Sequence, residues 1–72
     1  MEFDHTLLKR RILFMFGSCA AFAEEIGEKP EWLSRRITGK TQISADEMIL
    51  FADKLEIAPT EFYDYFFTPK VR

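Results

Sequence analysis

Three glycines, Gly17, Gly27 and Gly39, each close a run of apolar residues at helical spacing in a chain of 72 residues. Glycine enters the left-handed conformation that ends a helix at no steric cost. The first half of the chain is thereby cut into helices of about three turns each. No segment shows the strict apolar/polar alternation of a half-buried strand. The expectation is an all-α domain of short helices, with neither an internal repeat nor a linker.

Five helices are predicted. The first covers residues 6–16, with Leu8, Ile12, Met15 and Phe16 within about 100° of arc, and Gly17 stops it. Ser18 caps the second, which carries Phe22, Ala23 and Ile26 to Gly27. Pro30 opens the third, where its fixed φ suits the first position; Leu33 and Ile37 point inward and Gly39 ends it. Ser44 with Glu47 three residues on forms a capping box for the fourth, whose buried stripe reads Met48, Ile49, Ala52 and Leu55. Pro59 or Thr60 opens a short fifth helix ending near Tyr65, and Pro69 favours an extended tail over residues 66–72.

A chain this short holds one domain, residues 1–72, with a stability of roughly 4 to 11 kcal/mol. Its longest apolar runs, residues 12–16 and 19–23, are far below the roughly 18 residues of a membrane span. No targeting segment is recognisable, and a cytoplasmic, nucleoid-associated protein is expected. One cysteine cannot form an internal disulfide, and with one histidine it cannot supply a tetrahedral zinc site. No metal and no cofactor are expected. His5 and Cys19 could be imagined as a catalytic pair, but nucleophilic catalysis also needs an orienting group and an enclosed pocket, so no enzyme activity and no small-molecule substrate are expected.

The net charge of −2 hides a segregation along the chain. Residues 29–41 hold Lys29, Arg35, Arg36 and Lys40 against Glu31, a net of +3. Residues 42–66 hold six carboxylates against Lys54, a net of −5. A basic insert in an acidic domain is the pattern of one edge meeting a polyanion.

That insert coincides with two helices joined by only Gly27, Glu28 and Lys29, a turn that forces a steep crossing over residues 18–39. The geometry is a helix-turn-helix, with small Ala23 at the crossing. The outer face of its second helix presents Glu31, Trp32, Ser34, Arg35 and Thr38, residues able to reach base edges or phosphates.

The run Phe22-Ala23-Glu24-Glu25-Ile26-Gly27, then Leu33-Ser34-Arg35, then Thr38-Gly39-Lys40, resembles the helix-turn-helix of phage repressors of the Cro/cI type. The resemblance extends from Leu8 to the tail Tyr65-Phe66-Phe67 and is greatest to small Cro-like proteins of phages and prophages of Gram-positive bacteria. It implies a five-helix, lambda-repressor-like DNA-binding domain and a DNA-contacting set of Ser18, Cys19, Lys29, Glu31, Trp32, Ser34, Arg35, Thr38, Lys40 and Thr41. Three positions depart from the family pattern: Cys19 stands where a phosphate-holding Gln is usual, Lys29 where Ser or Thr caps the third helix, and Pro30 at a common base-reading Gln. These changes bear on specificity and affinity rather than on the fold.

Each residue also has a plainer reading. Arg35 could donate a bidentate pair to guanine or bridge Glu31 one turn away, and base contact is favoured. Glu31 could accept from cytosine N4 or only favour the helix dipole. Trp32 could meet a thymine methyl or pack against the turn. Lys40 and Thr41 resemble phosphate contacts, or are ordinary loop polarity.

Phe3, Leu7 and Phe14 would share a face outside the buried stripe if the first helix began early enough. Either the aromatic tail folds back over them or they form a subunit interface. The candidates for such an interface are Phe14, Tyr63, Tyr65 and Phe67. The sequence is therefore read as a repressor that binds double-stranded DNA at a near-palindromic operator as a homodimer. The rival reading is a protein-interaction module that kept the fold and lost DNA affinity.

Overall fold

The computed structural model describes residues 3–70. It comprises α1 (Thr6–Phe16), α2 (Cys19–Glu25), α3 (Pro30–Ile37), α4 (Ala45–Leu55) and α5 (Phe62–Phe66), the last entered through a 3-10 turn at Pro59–Glu61. This is the predicted five-helix, lambda-repressor-like arrangement, and among the described residues no helix is long and apolar enough to cross a membrane.

The punctuation works as the sequence suggests. Ser18 Oγ accepts from the Ala21 N–H at 3.1 Å, and Ser44 and Glu47 close a full capping box on α4. The start of α1 is handled differently. His5 occupies the cap position but makes no capping bond, and Asp4 Oδ1 instead accepts from the Thr6 N–H at 2.8 Å. The end of α4 is also unusual. Glu56, not glycine, takes the left-handed conformation there, at φ 55°. Arg11 covers that end, donating from Nε to the Leu55 carbonyl at 2.9 Å.

Leu8, Ile12, Phe22, Ala23, Leu33, Phe51, Leu55 and Phe66 are fully buried at the centre. The Phe22 ring sits 5.0 Å from Phe16 and 5.4 Å from Phe51, in the tilted and edge-on geometries aromatic pairs favour. Burial of the leucine, isoleucine and phenylalanine side chains, each contributing about 1.5 to 3 kcal/mol, holds the helices at their crossing angles.

Two expectations about the core are corrected. The stripe of α4 is Met48, Phe51, Ala52 and Leu55, while Ile49 is 63% exposed. At 100° per residue Met48, Phe51, Ala52 and Leu55 share a 100° arc, and Ile49 falls about 60° outside it. Tyr65, read as an interface residue, is buried in the core beside Phe66, which itself belongs to α5 rather than to the tail.

The tail is extended, as Pro69 suggests. It returns to the N-terminal segment through an antiparallel bridge between Phe3 and Pro69, with the Asp4 N–H donating to the Thr68 carbonyl at 2.8 Å. Its last residues, Val71 and Arg72, lie outside the described residues. Phe3 therefore belongs to this bridge and not to α1, and its ring meets Phe67 edge to face at 5.6 Å. The tail covers Phe3 but leaves Phe14 81% exposed.

Candidate nucleic-acid interface

α2 and α3 are joined by a turn whose geometry follows from Gly27. At φ 75° this residue lets its own N–H reach the Glu24 carbonyl at 3.1 Å and the Glu28 N–H reach Ala23 at 2.8 Å. These are the two bonds of a Schellman cap, which ends α2 within one residue and turns the chain sharply into α3. Ala23 is fully buried at the crossing, as expected. Leu33 anchors the inner face of α3, and Gly39, at φ 84°, ends the helix.

The expected DNA-contacting residues divide into three groups. Lys29, Glu31, Ser34, Arg35, Thr38 and Lys40 are exposed on α3 and at its two ends. Of these, Lys29, Glu31 and Arg35 line one shallow groove with the half-buried Thr41. Thr38 faces away from that groove, and its hydroxyl donates to the Ser34 carbonyl at 2.8 Å. Cys19 is half-buried against the core, which leaves Ser18, already used as a cap, as the only polar side chain at the start of α2.

Trp32, for which the sequence leaves base contact and packing both open, lines the same groove as Arg35 but is largely held by packing. It is half-buried, edge-on to Phe51 at 6.1 Å, with the Arg36 guanidinium 3.7 Å above its ring. Packing inside the domain satisfies most of the indole, so its reach toward a base is limited to an edge.

Arg36 was absent from the expected set, yet it organises the site. Its Nε and Nη2 donate to the two carboxylate oxygens of Glu47, while Nη1 donates to the Trp32 carbonyl at 3.2 Å. The hydrogen bond from Arg36 holds the Glu47 carboxyl below its ordinary range, against the opposing effect of burial. The spacing of Trp32 and Arg36, one helical turn apart, was a readable signal for their stacking. The partnership with Glu47 spans eleven residues and two helices and had no local signal.

The consequence is electrostatic. With Arg36 committed inward, the cations left for a polyanion are Lys29, Arg35 and Lys40. Over residues 18–41, Glu24, Glu25, Glu28 and Glu31 balance Lys29, Arg35, Arg36 and Lys40, a net of zero. The edge thus presents three exposed cations on a stretch whose formal charge is zero.

Of the residues proposed for a subunit contact, Phe14 and Tyr63 are exposed, Phe67 is half-buried against Phe3, and Tyr65 is buried. Among the described residues, no group of three or more His, Cys, Asp or Glu side chains is placed to hold a metal ion.

No protein-family model matches the chain, and no curated protein matches it in sequence. Among solved structures it is similar to the modulator of repression of the temperate bacteriophage TP901-1 from Lactococcus lactis, determined in solution. The two are 28% identical, superpose with a TM-score of 0.82, and align over 100% of this chain and 97% of that one. From end to end, the chain is thus similar to a small phage regulatory protein.

Proposed function

We propose that this protein is a phage-type, non-catalytic regulator of transcription. In this reading it acts in the cytoplasm as a homodimer at a near-palindromic operator, in the manner of a Cro-type repressor. α3 lies in the major groove, Arg35 reads a base edge, Ser34 and Glu31 flank it, and Lys29, Lys40 and Thr41 meet phosphates. The observation that carries the reading is the contrast between neighbouring arginines. Arg36 is held by Glu47 and Trp32, whereas Arg35 is exposed on the outer face of α3 and makes no side-chain hydrogen bond or ion pair among the described residues. A bidentate donor free on that face suits guanine O6 and N7.

A second reading is favoured by the neutral charge of the helix-turn-helix and by the role of the TP901-1 protein as a modulator of repression. In it the same face docks on another protein of the repression machinery and DNA affinity is low. Selection from a random DNA pool, followed by titration across salt concentrations, separates the two. An enriched palindrome and a log–log salt slope of roughly −5, for about three phosphates per subunit, support the DNA reading. No enrichment and a flat slope replace it with the second.

A further inference from the structure

The outward faces of α1 and α4 carry apolar side chains that nothing among the described residues covers. On α1, Leu7, Leu13 and Phe14 are exposed; on α4, Ile49 and Leu50 are exposed on the side away from Phe51 and Leu55. Each group surrounds one charge. Arg10 lies one helical turn from Leu7, Leu13 and Phe14, and Asp53 lies one turn from Ile49 and Leu50. Lys9 adds a second exposed cation to the first face and Asp46 a second exposed carboxylate to the other. The ion pairs among the described residues, Arg36 with Glu47 and Lys54 with Glu25, use none of these four. Arg10 shares a shallow cleft with Asp4 and Asp64 but pairs with neither.

We infer that these faces meet in a homodimer, with α1 of one protomer on α4 of the other and Arg10 opposite Asp53 of the partner subunit. Charge selects the pairing. Joining α1 to α1 would oppose Lys9 and Arg10 to themselves, and joining α4 to α4 would do the same to Asp46 and Asp53; like charges brought together disfavour both. The mixed pairing covers both apolar groups and sets Lys9 and Arg10 against Asp46 and Asp53. α1 and α4 are neighbours within one protomer, tied by the Arg11 bonds to the Leu55 and Glu56 carbonyls. A two-fold axis therefore repeats the contact, α4 of the first protomer receiving α1 of the second.

The inference rests on the homodimer of the proposed function, supplies its contact surface, and is tested without DNA, so its failure leaves the role of Arg35 untouched. The experiment is sedimentation equilibrium of the full chain at low salt over a range of concentrations. The wild type passes from monomer to dimer. Arg10→Glu and Asp53→Arg each weaken dimerisation by roughly tenfold or more. An equimolar mixture of the two restores it, because both contacts in the mixed dimer then pair opposite charges. Phe14→Ser weakens it as well while leaving the circular-dichroism melt near that of the wild type, which separates a lost contact from a lost fold. A wild type that stays monomeric up to about 1 mM, a dimer indifferent to both charge reversals, or a mixture that stays monomeric overturns the pairing.

Discussion

Arg36 and Glu47 face each other through two parallel hydrogen bonds, Nε to Oε1 at 2.9 Å and Nη2 to Oε2 at 3.1 Å. Oε1 also accepts from the Ser44 N–H at 3.0 Å. One carboxylate thus starts α4 and fixes the last turns of α3. Both side chains are well shielded, at 14% and 22% exposure, so the pair counts for more than a surface bridge.

Glu47→Ala should lower stability by about 1 to 3 kcal/mol, since it removes the Glu47 half of the capping box and leaves the guanidinium without its partner. A pH test follows from the depressed Glu47 carboxyl. Its contribution is whole above the unfolded pKa and is lost as pH falls through the lower folded value. Melting temperatures followed from pH 6 to about 3 should fall more steeply in the wild type than in Glu47→Gln.

His5 titrates in a separate window. Burial pushes its pKa below 6.5, against the pull of the Tyr65 carbonyl and Asp4, and its Nδ1 has no hydrogen-bond partner among the described residues. The folded protein then resists a proton that the unfolded chain accepts, so stability is whole above 6.5 and declines as pH falls through the folded value. Urea melts between about pH 7.5 and 5 should show this decline in the wild type and not in His5→Gln.

Reading and positioning should separate on the α3 edge. Arg35→Ala is expected to cost about 1 to 3 kcal/mol per half-site and relax preference at one base pair. Lys40→Ala should weaken all sequences alike and reduce the salt slope by about 1 per subunit. Binding-site selection on both variants checks the assignment. If Arg35→Ala keeps its base preference while Lys40→Ala loses it, Glu31 becomes the better reader.

Glu56→Gly should stabilise the domain by about 0.5 to 1 kcal/mol. A β-carbon at φ 55° is strained, and glycine is the usual residue where a helix ends left-handed. Chemical denaturation of the two proteins measures the difference directly.

What could be read from the sequence was local. Gly17, Gly27, Ser18, Pro30 and the Ser44–Glu47 box act through bonds spanning a few residues, and each marks its helix end as expected. The exposed face of α3 followed from the position of Leu33. Placements that depend on docking between helices were not local. Helical phase alone separates Phe51 from Ile49, as the arc shared with Met48, Ala52 and Leu55 shows, whereas Tyr65 looks surface-compatible until α5 docks on α1. Trp32 and Arg36 belong to the same class. Both look free on a helical projection, and both are claimed by α4, through Phe51 and Glu47.

The environment of Trp32 also makes it an optical reporter. It is the only tryptophan, and its indole lies between a guanidinium and a phenylalanine ring at the junction of α3 and α4, beside Arg35. Emission excited selectively in this side chain comes from one place in the molecule. Any partner that seats on α3, or any change that lifts Arg36 off the ring, changes the polarity and quenching of that single fluorophore, so occupancy of the site can be followed without a label.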